Sequence, residues 1–369
     1  MFDQLAKAKV LICVGSGGVG KTTVAAALAA LFASQGRRVL VLTIDPAQRL
    51  KTTLGLPDSG EEVRIQGPGL KTETLYGAVI NAKATFDDFV SRAVTGAGLG
   101  KDVAERILRN KLYLQLSTTL SGSQEFTSLE RLYSAVNSGL YDLVVLDTPP
   151  TQHAIDFLQA PQKLAALFND KISQWFRQTE SKTGWLRSVV HAGTVQVLGA
   201  LERLTGSEFM RELRDFFQSL EGWQGRLEDR VTAVHRLLVD PDTHFVLVTS
   251  FDAAKLQEAD FFAREIRKGG YQLSRVLINR AFPLWRERLT REEDRRLVET
   301  PISALSPQLQ LARQMLLQDD LRSQQYQEFV QMMARQCPVE RLPELGEDVS
   351  DIEGVLHLQS YLMRQGDSK

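Results

Sequence analysis

The chain has 369 residues, a formal net charge of −1 and 43% hydrophobic residues, a globular composition sized for one large α/β domain or two smaller ones. A charge so balanced lacks the basic excess of a nucleic-acid binder, and no run reaches the ~20 apolar residues of a membrane span, so neither partner is expected. Its two cysteines, Cys13 and Cys337, lie far apart and form no Cys-x-x-Cys pair, and no secretory signal is visible; the reading is a reducing, cytoplasmic setting without a disulfide framework or cysteine zinc site.

The apolar run Val10–Val14 predicts a first strand, with Cys13 as a small buried hydrophobe inside it. Directly after it come Gly15, Ser16, Gly17, Gly18, Val19, Gly20, Lys21 and Thr22, which satisfy G-x-x-x-x-G-K-[ST]. The glycines let the backbone turn tightly and approach a ligand with no Cβ in the way. Their N–H groups can converge on phosphate oxygens at the start of the helix predicted over Val24 to Gln35, where the helix dipole also favours an anion. Lys21 would reach the β- and γ-phosphates, and Thr22 would place its hydroxyl on Mg²⁺.

Val39–Ile44 predicts a second buried strand, and Asp45 closes it in the motif Asp45-Pro46-Ala47. Asp58–Gly69 reads as a polar, Gly- and Pro-containing loop. Further strands are expected at Leu75–Ile80, Leu143–Leu146, Phe245–Val248 and Val276–Ile278. Strands that are apolar throughout and separated by helices imply an α/β fold with a mostly parallel sheet covered on both faces. Asp147 ends one such strand. Ligands of these sheets bind beyond the carboxyl ends of the strands, where both aspartates fall. Thr22, Asp45 and Asp147 are therefore the candidate Mg²⁺ set. One carboxylate steadies the metal while the other orients or deprotonates the attacking water; the alternative for Asp45 is an N-cap to the next helix.

After Asp147 the chain reads Thr148-Pro149-Pro150-Thr151-Gln152-His153. Two prolines fix φ and remove amide donors, so a stiff loop is expected, of the kind that can switch when a γ-phosphate leaves. Two long helical stretches interrupt the strand rhythm, 84–137 and 161–239. The second carries apolar residues at helical spacing, among them Leu164, Leu167, Phe168, Trp175 and Phe176. The expected organisation is a single 1–369 domain. Its nucleotide-binding core is 1–83, 138–160 and 240–369, and a helical subdomain of 84–137 and 161–239 is inserted in it.

Three segments carry a resemblance: Gly15–Thr23 (GSGGVGKTT), Asp45-Pro46-Ala47 and Asp147–Leu158 (DTPPTQHAIDFL). With Phe245–Asn279 they make the chain similar to the ArsA family of P-loop ATPases, which includes the arsenite-pump ATPase and the ATPase that delivers tail-anchored membrane proteins. The resemblance implies a P-loop NTPase fold, ATP and Mg²⁺ as ligands, and Thr23 as part of the phosphate loop. It makes the loops at Asp45 and Asp147 switches I and II, with Asp45 acting on the water. It implies that Asn279 and Pro343 meet the adenine, and that the working unit is a dimer.

The sequence also departs from the family. The family's loop normally begins Gly-Lys-Gly-Gly, with that lysine reaching the partner's nucleotide; here the position is Ser16, whose hydroxyl cannot supply the charge. Slow hydrolysis alone, a substitute cation such as Arg49, or a lysine-bearing paralogue in a heterodimer are the alternatives. No Cys-x-x-Cys supports a zinc-clamped dimer, and two cysteines cannot bind arsenite as three thiolates. The helical subdomain holds Trp, Phe and Leu where the targeting branch has methionine-rich helices. Internal packing is its ordinary reading, and a hydrophobic client or partner surface is the other. The function expected is ATP-driven opening and closing of a homodimer or heterodimer that controls this surface. Weakly active nucleotide sensing and ParA- or MinD-like positioning are the alternatives. Asp351–Lys369 lacks the basic amphipathic character that a membrane-surface helix of the last kind needs.

Overall fold

The computed structural model describes residues 5–44, 49–57, 59–71, 73–96, 98, 100–110, 121–148, 224–281, 296–297, 299–345 and 349–367. The elements run β1 (Val10–Val14), α1 (Lys21–Ser34), β2 (Val39–Thr43), α2 (Arg49–Leu54), β3 (Val63–Arg64), β4 (Leu75–Val79), α3 (Ala82–Gly96), α4 (Lys101–Arg109), α5 (Ser121–Asn137) and β5 (Leu143–Asp147). They continue with α6 (Gln224–Leu238), β6 (Thr243–Ser250), α7 (Ala253–Lys268), β7 (Leu273–Ala281), a 3₁₀ turn at Ile302–Ala304, α8 (Pro307–Ala334), β8 (Val339–Pro343) and α9 (Ile352–Asp367).

The strands form one sheet in the order β3-β4-β2-β5-β1-β6-β7-β8. Every neighbouring pair is parallel except β3 with β4. β1, β2 and β5 are buried at every position, as a sheet covered on both faces requires. This is the α/β architecture that the continuous apolar runs predict. Two pieces escaped the pattern. β3 lies inside the stretch read as a loop, where Val63 and Arg64 pair antiparallel with Gly77 and Tyr76. β8 carries alternating rather than continuous burial, as an edge strand does, and so gave no apolar run to detect.

α1 is alanine-rich and buried nearly all round, because one side meets the sheet and another meets α9 through Val355, Leu358 and Leu362. Gln359 Nε2 donates to Ser34 Oγ at 3.0 Å near the far end of that contact.

The chain divides into two compact units, Met1–Val79 with Ala135–Ile155 and Val239–Lys369, and Ile80–Ser134 with Asp156–Leu238. In the second unit the described residues of the stretch expected as one helical run include three helices, α3, α4 and α5. Phe86 and Phe89 of α3 meet Phe126 of α5 edge to face, at centroid distances of 6.2 and 5.3 Å. Buried Glu130 of α5 faces Arg92 of α3 and Arg230 of α6. Burial raises its pKa, with both arginines opposing that shift. Residues 161–223 of the expected subdomain lie outside the described residues.

Candidate nucleotide site

The sheet register sets the floor of the site. β1, β5 and β2 run side by side, so Cys13, Asp147 and Thr43 stand in one row at the carboxyl ends of three central strands. The loop 15–20 leaves β1 above this row and delivers the chain into α1. Gly15 has φ 149 and faces β6 so closely that a Cβ would collide with the Val248 carbonyl. Gly20 caps α1 with φ 85, a left-handed conformation that glycine adopts without strain. No side chain caps the helix, and its first turn carries no acidic residue. The leading N–H groups of α1 are thus offered to an anion, reinforced by the dipole.

Lys21 is buried and its Nζ donates to the Ser16 carbonyl at 2.8 Å, which ties the end of the loop back to its beginning. Thr22 Oγ1 donates to Asp147 Oδ2 at 2.7 Å, and Thr43 Oγ1 donates to the same oxygen at 2.9 Å. Asp147 is 1% exposed, and two hydroxyl donors orient its carboxylate toward the start of α1. Thr148 Oγ1 donates to the Cys13 carbonyl at 2.8 Å and fixes the chain as it leaves β5. Burial, and then the charge of Asp147, push the Cys13 thiol above its ordinary range, so it stays a neutral, closely packed group beneath the loop.

On the other side of β6, Asn279 is buried near the end of β7 and donates from Nδ2 to the Val19 carbonyl at 3.0 Å. Pro343 ends β8 and pairs in register with Ala281, two residues beyond Asn279. The structure thus brings Lys21, Thr22, Asp147 and Asn279 to one edge of the sheet, with Ser16 and Val19 among them and Pro343 at the neighbouring strand end. Asp45 lies outside the described residues, as do Pro149 to His153; the described part of β2 ends beside Asp147. Arg49 opens α2.

The donor set is oxygen only: a threonine hydroxyl against a carboxylate. That suits a hard cation such as Mg²⁺, which takes few protein ligands and completes its shell with phosphate and water.

Sequence reasoning missed Thr43 and Thr148. Each is a single hydroxyl residue at the tip of an apolar strand, and that was the only available signal. It also missed Arg275 of β7 and Glu340 of β8, an ion pair with both side chains 2% exposed. An arginine in the middle of an apolar strand was the mark of it.

A family model described as anion-transporting ATPase (ArsA ATPase) matches residues 8–299. Among curated relatives, the chain is 27% identical over 302 residues to the ATPase GET3B of Arabidopsis thaliana, covering 76% of this chain and 67% of that one. It is 25% identical over 273 residues to the ATPase ASNA1 homolog 2 of Paramecium tetraurelia, covering 73% and 75%. It is also 25% identical over 286 residues to the putative arsenical pump-driving ATPase 1 of Aquifex aeolicus, covering 74% and 64%.

Proposed function

Because the chain belongs to the anion-transporting ATPase (ArsA) family, we propose that it binds and hydrolyses ATP with Mg²⁺ at the tips of β1 and β5, and that this drives a dimer between open and closed forms. The single observation that carries the reading is the hydrogen bond from Thr22 to Asp147, which joins the phosphate-loop helix to the carboxylate of the neighbouring strand. The loop amides and the first turn of α1 hold the β- and γ-phosphates, and Lys21 neutralises their charge. Thr22 and Asp147, with Asp45, would hold Mg²⁺, which when bound offsets the charge that develops on the phosphate oxygens. Asp45 takes or orients the proton of the attacking water. Asn279 and Pro343 receive the adenine.

ATP favours the closed dimer because it contacts that form more fully, and hydrolysis removes the bias. The surface under control belongs to the helical subdomain, and its occupant is an apolar client or a partner protein. The resemblance to the family's targeting branch, whose helices form an apolar groove, supports this part of the reading.

Ser16 favours a second reading. Without the lysine at that position the homodimer turns over slowly, and the subunit acts as a nucleotide sensor beside a lysine-bearing paralogue. Robust hydrolysis by the purified homodimer contradicts it.

Asp45→Asn tests the main reading. The variant keeps ATP binding and loses turnover by about 100-fold or more, the scale of a lost general base. Turnover equal to wild type removes Asp45 from the reaction.

A further inference from the structure

β7 is buried at eight of its nine positions, and the exception is Arg280. Three observations single this residue out. From Ile278 to Ala281 β7 takes three steps, while its neighbour β8 takes two, from Arg341 to Pro343, so β7 carries one extra residue there. That is a β-bulge, which breaks regular pairing and re-aims a side chain. Arg280 also has φ 52, in the left-handed region that a residue with a Cβ enters only at a cost. Its neighbours on either side are held in place: Asn279 is 7% exposed and bonded to the phosphate loop, and Ala281 is 4% exposed and paired with Pro343. Regular alternation would send residue 280 to the sheet face opposite Leu277 and Asn279; the bulge and the left-handed backbone take it out of the ladder instead.

We infer that Arg280 covers the bound base: its guanidinium lies against the ring face of a purine whose edge meets Asn279, and it contributes to affinity through the base and not through the phosphates. Its place in the sheet favours the base. Arg280 falls between Asn279 and the Ala281–Pro343 pair, the two positions given to the adenine in the ATPase reading, on which this inference rests for its ligand. The phosphate loop leaves β1, two strands away from β7. A guanidinium is planar and weakly hydrated, so it stacks on an aromatic face better than a compact ammonium does. A left-handed backbone at an exposed side chain adds nothing to the packing of the sheet, and such strain is kept where it serves a ligand.

Arg280→Gly, Arg280→Lys and a ligand without a base test the inference, by calorimetry in the presence of Mg²⁺. Glycine takes φ 52 without strain, so Arg280→Gly melts at or above the wild-type temperature. It binds ATP about tenfold more weakly, and Arg280→Lys recovers only part of the loss. Inorganic tripolyphosphate, which has no base to cover, binds both variants as it binds wild type. An equal loss for ATP and tripolyphosphate makes Arg280 a phosphate-binding charge, and a melt well below wild type makes it a structural residue; either result overturns the inference. So does an Arg280→Gly variant that binds ATP as tightly as wild type. Wild type that binds neither ATP nor tripolyphosphate contradicts the ATPase reading itself, and the inference falls with it.

Discussion

Asp147 shows how little of a site a single side chain makes. The carboxylate sits at the end of an apolar strand, and its direction is set by Thr22 from α1 and Thr43 from β2. The sequence marked Thr22 through the phosphate-loop motif and Asp147 through its place at the end of an apolar strand. Thr43 carries no motif, and only the strand register reveals it. The family resemblance assigned Asn279 to the base, whereas its bond to the loop depends on three strands lying in order. At the opposite end of the sheet, His244 is buried with Nδ1 2.6 Å from Ser274 Oγ. Burial lowers its pKa, and Asp242 opposes the shift only in part. The unfolded chain therefore takes up a proton below the ordinary imidazole value of about 6.5 more readily than the folded one, and stability falls as pH falls through that region. Melting temperature should drop between about pH 7 and pH 5, and His244→Gln should flatten that part of the curve. An unchanged slope in the variant would assign the acid sensitivity to other groups.

The elements were read well where apolar pattern decided them. Val10–Val14, Val39–Thr43 and Leu143–Asp147 are buried strands because their β-branched and leucine residues fit a sheet covered on both faces. The pattern failed at the sheet's margins. β3 has two residues, and β8 alternates, so neither offers a run. It also missed that α1 is enclosed by α9, since the packing of two elements more than 300 residues apart leaves no local trace. That contact gives the phosphate loop a rigid base, because α1 is the helix the loop feeds. Leu358 of α9 is 2% exposed within this core, so Leu358→Ala should destabilise the fold by about 2–5 kcal/mol, read by urea unfolding. A loss under about 0.5 kcal/mol would mean that α9 is peripheral to the stability of α1.

For the molecule as a whole, the order β2-β5-β1-β6 places the phosphate loop at the centre of the sheet, with an aspartate-bearing strand on one side and the approach to Asn279 on the other. Among the described residues no helix is long and apolar enough to cross a membrane. The family and the fold agree with what the sequence implied, because both rest on the loop and the strands around it. The helical subdomain was the least legible part. Its sequence signal is apolar residues at helical spacing, and that spacing is the same whether an apolar face meets a neighbouring helix or a partner.

The central claim is that the loop after β1, with Lys21, Thr22 and Asp147, is a cradle for Mg²⁺-nucleotide. Titration calorimetry of ATP into the purified chain tests it most directly, run with and without Mg²⁺ and repeated with Lys21→Ala. The account predicts one saturable site per chain in wild type, tighter with Mg²⁺, and loss of tight binding in a variant that melts as wild type does. No heat of binding in wild type, or undiminished affinity in Lys21→Ala, would contradict it.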